Sequence, residues 1–197
     1  MTTGCDLAVA VLAGGMGSRL GGGKPLIVLG GKPLVERAFE RGRSWSNCMV
    51  VSLRSADQAG PIALPWIADA PGIEGPLAGL ASALEWASQQ GANDVLTIPC
   101  DMPFLPEDLP QRLRSGIGEL GAAIAASGGS LHPVCGLWRT AALAEIPDYC
   151  ALGKRSLQGF ARHIGFAEVE WPVTPRDPFF NINSPADLAA AEALLGA

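Results

Sequence analysis

Three stretches of almost unbroken apolar residues constrain this chain more than any other feature: "DLAVAVLA" at residues 6–13, "CMVVSL" at 48–53 and "DVLTIPCD" at 94–101. A strand that is apolar on both faces must be covered on both faces, as happens in a parallel sheet packed between helices. The intervening segments supply those helices. "KPLVERAFERGRS" sets Leu34, Val35, Ala38 and Phe39 at helical spacing with charges between them. "GPLAGLASALEWASQQG" is a helix with Pro76 near its first turn and Gly91 at its stop, and "PEDLPQRLRSG" is a helix after the third strand. "IALPWIAD" is extended but broken by Pro65, which makes it an edge or a bend. Farther along, "GAAIAAS" and "HPVCGLW" read as strands flanking the turn "GGS". "RTAALAEI" and "KRSLQGFARHIG" read as helical, and "AEVEW" as a strand. "SPADLAAAEALLGA" is a helix with Ser184 as N-cap, Pro185 at its first position and Asp187 in its first turn. The alternation specifies an α/β fold with a mostly parallel sheet covered on both faces. No repeat, low-complexity tail or linker divides the chain, so one domain over residues 1–197 is expected.

Composition narrows the function. Apolar residues make up 48% of the chain and charged residues 17%, which suits a compact globule and not a disordered one. A net charge of −5 will not draw in nucleic acid, so an anionic ligand must be held by a local cluster of cations and backbone N–H groups. The five cysteines are odd in number and show no C-x-x-C spacing, which points to buried thiols in a reducing compartment. The opening residues lack a basic leader, and their apolar run is too short to cross a membrane. A cytoplasmic protein without membrane or nucleic-acid partners is expected.

The first strand runs straight into "VLAGGMGSRLGGGKP" at residues 11–25. This is not a P-loop: Ser18 stands where its first glycine belongs and Pro25 where its Ser or Thr belongs. It is not the dinucleotide fingerprint either, because Leu20 fills the third glycine position. The physics of such a loop remains. Glycines let backbone N–H groups close around phosphate, Arg19 can fork two phosphate oxygens, and Lys24 adds a point charge. Ligands of such sheets bind beyond the carboxyl ends of the strands, where this loop, Ser52 to Arg54 and "PCDMP" all fall. Asp101, stiffened between Pro99 and Pro103, is a natural Mg²⁺ ligand beside a phosphate loop, since magnesium takes only one or two carboxylates. In "FFNINSP", an extended strand would put Asn181 and Asn183 on one face as a polar wall. His132 reads as a satisfied structural residue. Lys154 and Arg155, at a helix start where cations oppose the dipole, favour an anion-binding role.

Together these pieces resemble the molybdenum-cofactor guanylyltransferases, within the wider nucleotidyltransferase group of sugar-phosphate and cytidylyl enzymes. The likeness covers nearly the whole chain, through "LAGG", "SRLGG", Lys24, "GGKPLVERAF", "GPLAGL", "PCDMPFLP", "HPVCGLW", "GKRSL" and "FFNINSPADL". It implies a three-layer α/β/α Rossmann-like fold of the nucleotide-diphospho-sugar transferase kind. By matched motif it implies that Leu12, Ala13, Gly14 and Gly15 line a guanine and phosphate site and that Lys24 contacts phosphate. Asp101 would bind Mg²⁺, and Asp69 would lie near the nucleotide. Asn181, Asn183, Lys154 and Arg155 would face the pterin. The chain departs from the family at Gly23, where Asp is frequent, and at Ser52, where Asn is frequent; Ser52 keeps the nucleotide-side position with a shorter reach.

The activity so implied is transfer of GMP from GTP to the terminal phosphate of molybdenum-bearing molybdopterin, with release of pyrophosphate. Lys24, Arg19 and Asp101 would carry the catalysis. The substrates would be GTP and the molybdopterin cofactor, with transient contact to proteins that deliver or accept that cofactor. Two other readings stay open: a cytidylyl or sugar-1-phosphate nucleotidyltransferase, and a non-catalytic nucleotide-binding module.

Overall fold

A computed structural model describes residues 5–14, 23–55, 58 and 63–196. Its centre is a seven-stranded sheet. The strands are β1 (Ala8–Leu12), β4 (Cys48–Leu53), β5 (Trp66–Ala68), β6 (Asp94–Pro99), β7 (Ala122–Ser127), β8 (Ser130–Arg139) and β9 (Phe166–Trp171). Their order is β5-β4-β1-β6-β8-β7-β9, and of these seven only β8 runs against its neighbours. Two short strands, β2 (Val28–Leu29) and β3 (Lys32–Pro33), form a separate antiparallel pair.

The helices follow from caps and stripes. α1 (Leu34–Arg43) buries Leu34, Val35, Ala38 and Phe39, the residues at helical spacing. α2 (Pro76–Gln89) starts with Pro76 in its first turn and stops at Gln90 before Gly91, whose φ of +73° a side chain would strain. α3 (Leu109–Gly116) follows β6. α4 (Ile146–Ala151), α5 (Leu157–Ile164) and α6 (Pro185–Leu195) complete the described set. The period of β1 sorts the layers: Val9 and Val11 face α1 and α3 in one core, while Ala8 and Ala10 face α2, α4 and α5 in the other. The result is three layers, α/β/α, with a third apolar cluster joining Leu29 and Leu34 to Ile182 and Ala191.

Several expectations shift at their edges. "RTAALAEI" is a 3-10 helix over Thr140–Glu145 and not an α-helix; α4 begins only at Ile146, with Pro147 in its first turn. Lys154 and Arg155 do not open a helix. α5 starts after Ser156, whose side chain accepts from Gly159 N–H, and the Arg155 guanidinium donates to the carbonyls of Cys150 and Lys154 at the end of α4. A cation at a helix C-terminus complements the dipole, so local stability does account for Arg155. "FFNINSP" pairs with no strand among the described residues; it is an extended strap between β9 and α6. No helix among the described residues is long and apolar enough to cross a membrane.

The start of α6 matches its reading. Ser184 Oγ accepts from Asp187 N–H at 3.2 Å, and Asp187 Oδ2 accepts from the N–H groups of Ser184 and Asn183 at 2.8 and 2.9 Å. The Asn183 N–H, first among these, holds the Asp187 carboxyl below its usual range. Because the folded-state value lies below the unfolded one, this contribution is present at neutral pH and fades as pH falls through the folded value. Ser184→Ala is expected to lower stability by about 1 kcal/mol in urea unfolding. An unchanged midpoint would show that the cap is idle.

Candidate functional site

The carboxyl ends of β1, β4, β5 and β6 open into a cavity of about 760 Å³. Leu12, Ala13 and Gly14 form its floor as the chain leaves β1. Lys24 and Asp101 stand on one side, Asp69 on the other, and Asn181 reaches in from the strap. All of these were expected in the site. Gly15 and Arg19, also expected there, lie outside the described residues.

Lys24 opens a short 3-10 turn, Lys24–Leu26, directly after Gly23. Gly23 has φ +68°, a left-handed conformation natural to glycine. The turn directs the Lys24 ammonium to Asp101 Oδ2 at 2.5 Å and to Asn183 Oδ1 at 2.8 Å. Asp101 follows the end of β6, and its carbonyl accepts from Ile182 N–H at 2.9 Å, which docks the strap on the strand end. The side chains of the Lys24–Asp101 pair are 13% and 15% exposed, so the charges are screened far less than surface ions.

Two oxygens thus converge on one cation. The ammonium is a stand-in by which the fit of a divalent metal can be judged. Among the described residues no cluster of three or more His, Cys, Asp or Glu exists, so a metal here must complete its shell with water and phosphate oxygens. One carboxylate and one amide oxygen beside a phosphate site fit that demand.

Asp69 is held in a slot. Ser52 Oγ donates to Asp69 Oδ1 at 2.6 Å, and a Cβ on Gly14 would overlap Asp69 Oδ2. Ser52, expected at the nucleotide, is fully buried and does not line the cavity; its hydroxyl is turned to Asp69. Asn183 is exposed and does not line the cavity; it touches the lining through Lys24. Asn181 Oδ1 is buried and finds no hydrogen-bond partner among the described residues, which marks it as an acceptor awaiting a donor. Neither Lys154 nor Arg155 lines the cavity.

Other residues also line the cavity, among them Arg54, which stands at the expected strand end. Arg54 follows β4, Val134 lies on β8, and the turn 71–75 with Glu74 leads into α2. Gly79 is also there, with no side chain to fill the slot beside Asp69. Arg54 was legible from its place at a strand end; the turn was legible only as part of "GPLAGL". Cys100 lines the cavity and Cys135 lies close by, yet burial pushes both thiols well above their ordinary range, so neither is a nucleophile at neutral pH. His132 is stacked on Phe179 at 4.6 Å, with Nε2 2.8 Å from Ser127 Oγ, and burial lowers its pKa.

Known proteins are similar to this chain in sequence and fold. Residues 9–168 match the model of the MobA-like NTP transferase domain. A molybdenum cofactor guanylyltransferase of Cereibacter sphaeroides is 38% identical over 187 residues, covering 94% of this chain and 95% of that protein. One from Rhizobium meliloti (strain 1021) is 38% identical over 196 residues, covering 94% and 90%. The crystal structure of molybdopterin-guanine dinucleotide biosynthesis protein A from Archaeoglobus fulgidus superposes with a TM-score of 0.75 at 25% identity, covering 96% of this chain and 98% of the other. The 2-C-methyl-D-erythritol 4-phosphate cytidylyltransferase of Thermus thermophilus, at 23% identity, shares the fold with a TM-score of 0.70, over 98% and 100% of the two chains. With a family model matching most of its length and relatives alike almost from end to end, this chain belongs to the MobA-like NTP transferase family.

Proposed function

We propose that this nucleotidyltransferase acts as one domain over residues 1–197 and transfers GMP from GTP to the terminal phosphate of the molybdenum–molybdopterin cofactor. The observation that carries the reading is the Lys24 ammonium, held by Asp101 and Asn183 at the mouth of the β1 turn. A cation between two oxygens at the carboxyl end of the sheet suits a triphosphate and its divalent metal. The relatives named for this activity supply the substrates.

An oxygen of the acceptor phosphate attacks the α-phosphorus of GTP; the new O–P bond forms as the bond to the β-phosphate oxygen breaks, and pyrophosphate leaves. A phosphate monoester, with its second pKa near ~6, is already largely dianionic at neutral pH, so no general base is needed. The obstacle is charge: two unit charges about 4 Å apart repel by roughly 4 kcal/mol at an effective dielectric of 20. Lys24 would exchange Asp101 for the phosphates and offset that repulsion, a role that Arg19 and the N–H groups of Gly14 and Gly15 would share. Asp101 and Asn183, freed of the ammonium, would hold Mg²⁺. That metal, when bound, supplies charge neutralisation at the phosphoryl oxygens. Asn181, with its unpartnered oxygen, accepts from the pterin. Lys154 and Arg155 lie outside the cavity and would meet the pterin only at its outer end. We place the reaction in the cytoplasm, where the five thiols stay reduced, with cofactor-delivering and cofactor-accepting proteins as transient partners.

The test is pyrophosphate release with molybdopterin cofactor and a panel of GTP, CTP and UTP, with and without Mg²⁺. GTP- and magnesium-dependent release is expected. Preference for CTP or UTP would replace this reading with a cytidylyl or sugar-phosphate activity, and silence with every nucleotide would make the chain a binding module. Lys24→Ala should cost at least about tenfold in rate, or roughly 1.4 kcal/mol; an unchanged rate removes Lys24 from the phosphate site.

A further inference from the structure

Asp69 lines the side of the cavity away from Asp101, and Ser52 lies buried behind it. Leu53 and Ala68 are register partners at the ends of β4 and β5, and Asp69 N–H donates to the Leu53 carbonyl at 2.8 Å. This brings Asp69 over Ser52, whose hydroxyl donates to Oδ1 at 2.6 Å. The two glycines close the slot: a Cβ on Gly79 would come within 3.3 Å of Ser52 Oγ and 3.4 Å of Asp69 Oδ1, and one on Gly14 would overlap Oδ2. The carboxylate is therefore held by the Ser52 hydrogen bond on Oδ1, and glycine at 14 leaves room for Oδ2. Ser52 is 0% exposed and its proton is committed, so it acts on a ligand only through Asp69.

We propose that Ser52 is a positioning residue for base selection: it sets the plane of the Asp69 carboxylate so that it accepts from the N1–H and 2-amino group of guanine. This rests on GTP being the nucleotide. A carboxylate is an acceptor-only fork of two oxygens. Among the common bases only guanine sets two N–H donors side by side on neighbouring atoms. A carboxylate free to rotate accepts equally well from a cytosine or adenine amino group, or from ribose hydroxyls; one locked in plane favours the matched pair. An amide at position 52 could reach a base directly, but a buried hydroxyl cannot. Selectivity in this chain therefore moves to the acid that the hydroxyl holds.

The experiment is competition of GTP, inosine triphosphate, 2′-deoxy-GTP and CTP against a fluorescent guanine nucleotide. It uses the wild-type protein and the variants Ser52→Ala, Ser52→Thr and Asp69→Asn. Inosine triphosphate lacks only the 2-amino group. The wild type should favour GTP over it by at least about tenfold, the scale of one hydrogen bond to a charged acceptor. Ser52→Ala should compress that ratio by about fivefold or more while leaving the ratio of GTP to 2′-deoxy-GTP unchanged, and Ser52→Thr should restore it. Asp69→Asn, which keeps the volume, should also lose the preference and decides the matter if Ser52→Ala does not fold. A wild-type GTP-to-inosine ratio in Ser52→Ala overturns the proposal whatever Asp69→Asn shows, as does a wild-type ratio in Asp69→Asn or a change confined to 2′-deoxy-GTP. A wild type that prefers CTP overturns the guanine reading and this inference together; a wild type selective for GTP with unaltered variants overturns this inference alone.

Discussion

Asp101→Ala is expected to lower turnover by at least about a thousandfold, roughly 4 kcal/mol of transition-state stabilisation, while GTP binding weakens far less. Asp101 stands where β6 ends, its main chain fixed by Ile182 N–H and its side chain by the Lys24 ammonium. The alanine variant keeps the strand end and the docked strap but loses the carboxylate that faces Lys24. The slot at Asp69 and the cavity residues Leu12, Ala13 and Gly14 are unchanged in the variant. The loss should therefore appear in kcat and hardly in the dissociation constant, the pattern of an interaction made chiefly in the transition state. Single-turnover pyrophosphate release and calorimetric GTP binding on one preparation separate the two. Full turnover in the variant would remove Asp101 from the mechanism, and loss of GTP binding alone would make it a binding residue.

Trp138→Ala should cost about 3–5 kcal/mol of stability, the usual range for emptying a buried aromatic site. For a chain of this length that is a fall of melting temperature on the order of 10 °C. Trp138 is fully buried on β8, stacked on Phe160 of α5 with ring centroids 6.1 Å apart. Its indole N–H donates to Thr97 Oγ1 at 2.9 Å, and Thr97 Oγ1 donates on to the Gly136 carbonyl at 3.3 Å. Gly136 is needed for this packing: a Cβ there would come within 2.7 Å of Ile124 and 2.9 Å of the indole nitrogen. Truncation would open a void and remove the donor to Thr97 Oγ1, leaving that hydroxyl its bond to the Gly136 carbonyl alone. Urea unfolding checks this; a loss below about 1 kcal/mol would mean that the helix layer collapses into the gap.

The strands and most helices were legible because each carries its own signature. "DLAVAVLA", "CMVVSL" and "DVLTIPCD" are apolar on both faces since both are covered, and Ser184 with Asp187 announces α6 three residues apart. The hairpin of β2 and β3 was not legible, for two-residue strands have no period to read. Nor did spacing reveal that β8 reverses direction, although the "GGS" turn before it suits a hairpin. The site was legible by residue type but less so by partner. Lys24, Asp69 and Asp101 could be named from motifs and strand ends. That Lys24 pairs with Asn183 across 159 positions, or that Ser52 serves Asp69 and not the ligand, depends on long-range folding that no local pattern encodes.

The strap over residues 179–183 carries a temporal consequence. A nascent chain leaving the ribosome could complete all seven strands of the sheet once Trp171 has emerged, and so own a finished scaffold. It would still lack both asparagines and the amide that clasps Asp101, because these are translated afterwards. The bond from Ile182 N–H to the Asp101 carbonyl and the third apolar cluster, which needs Ile182 and Ala191, can form only after those last residues have emerged.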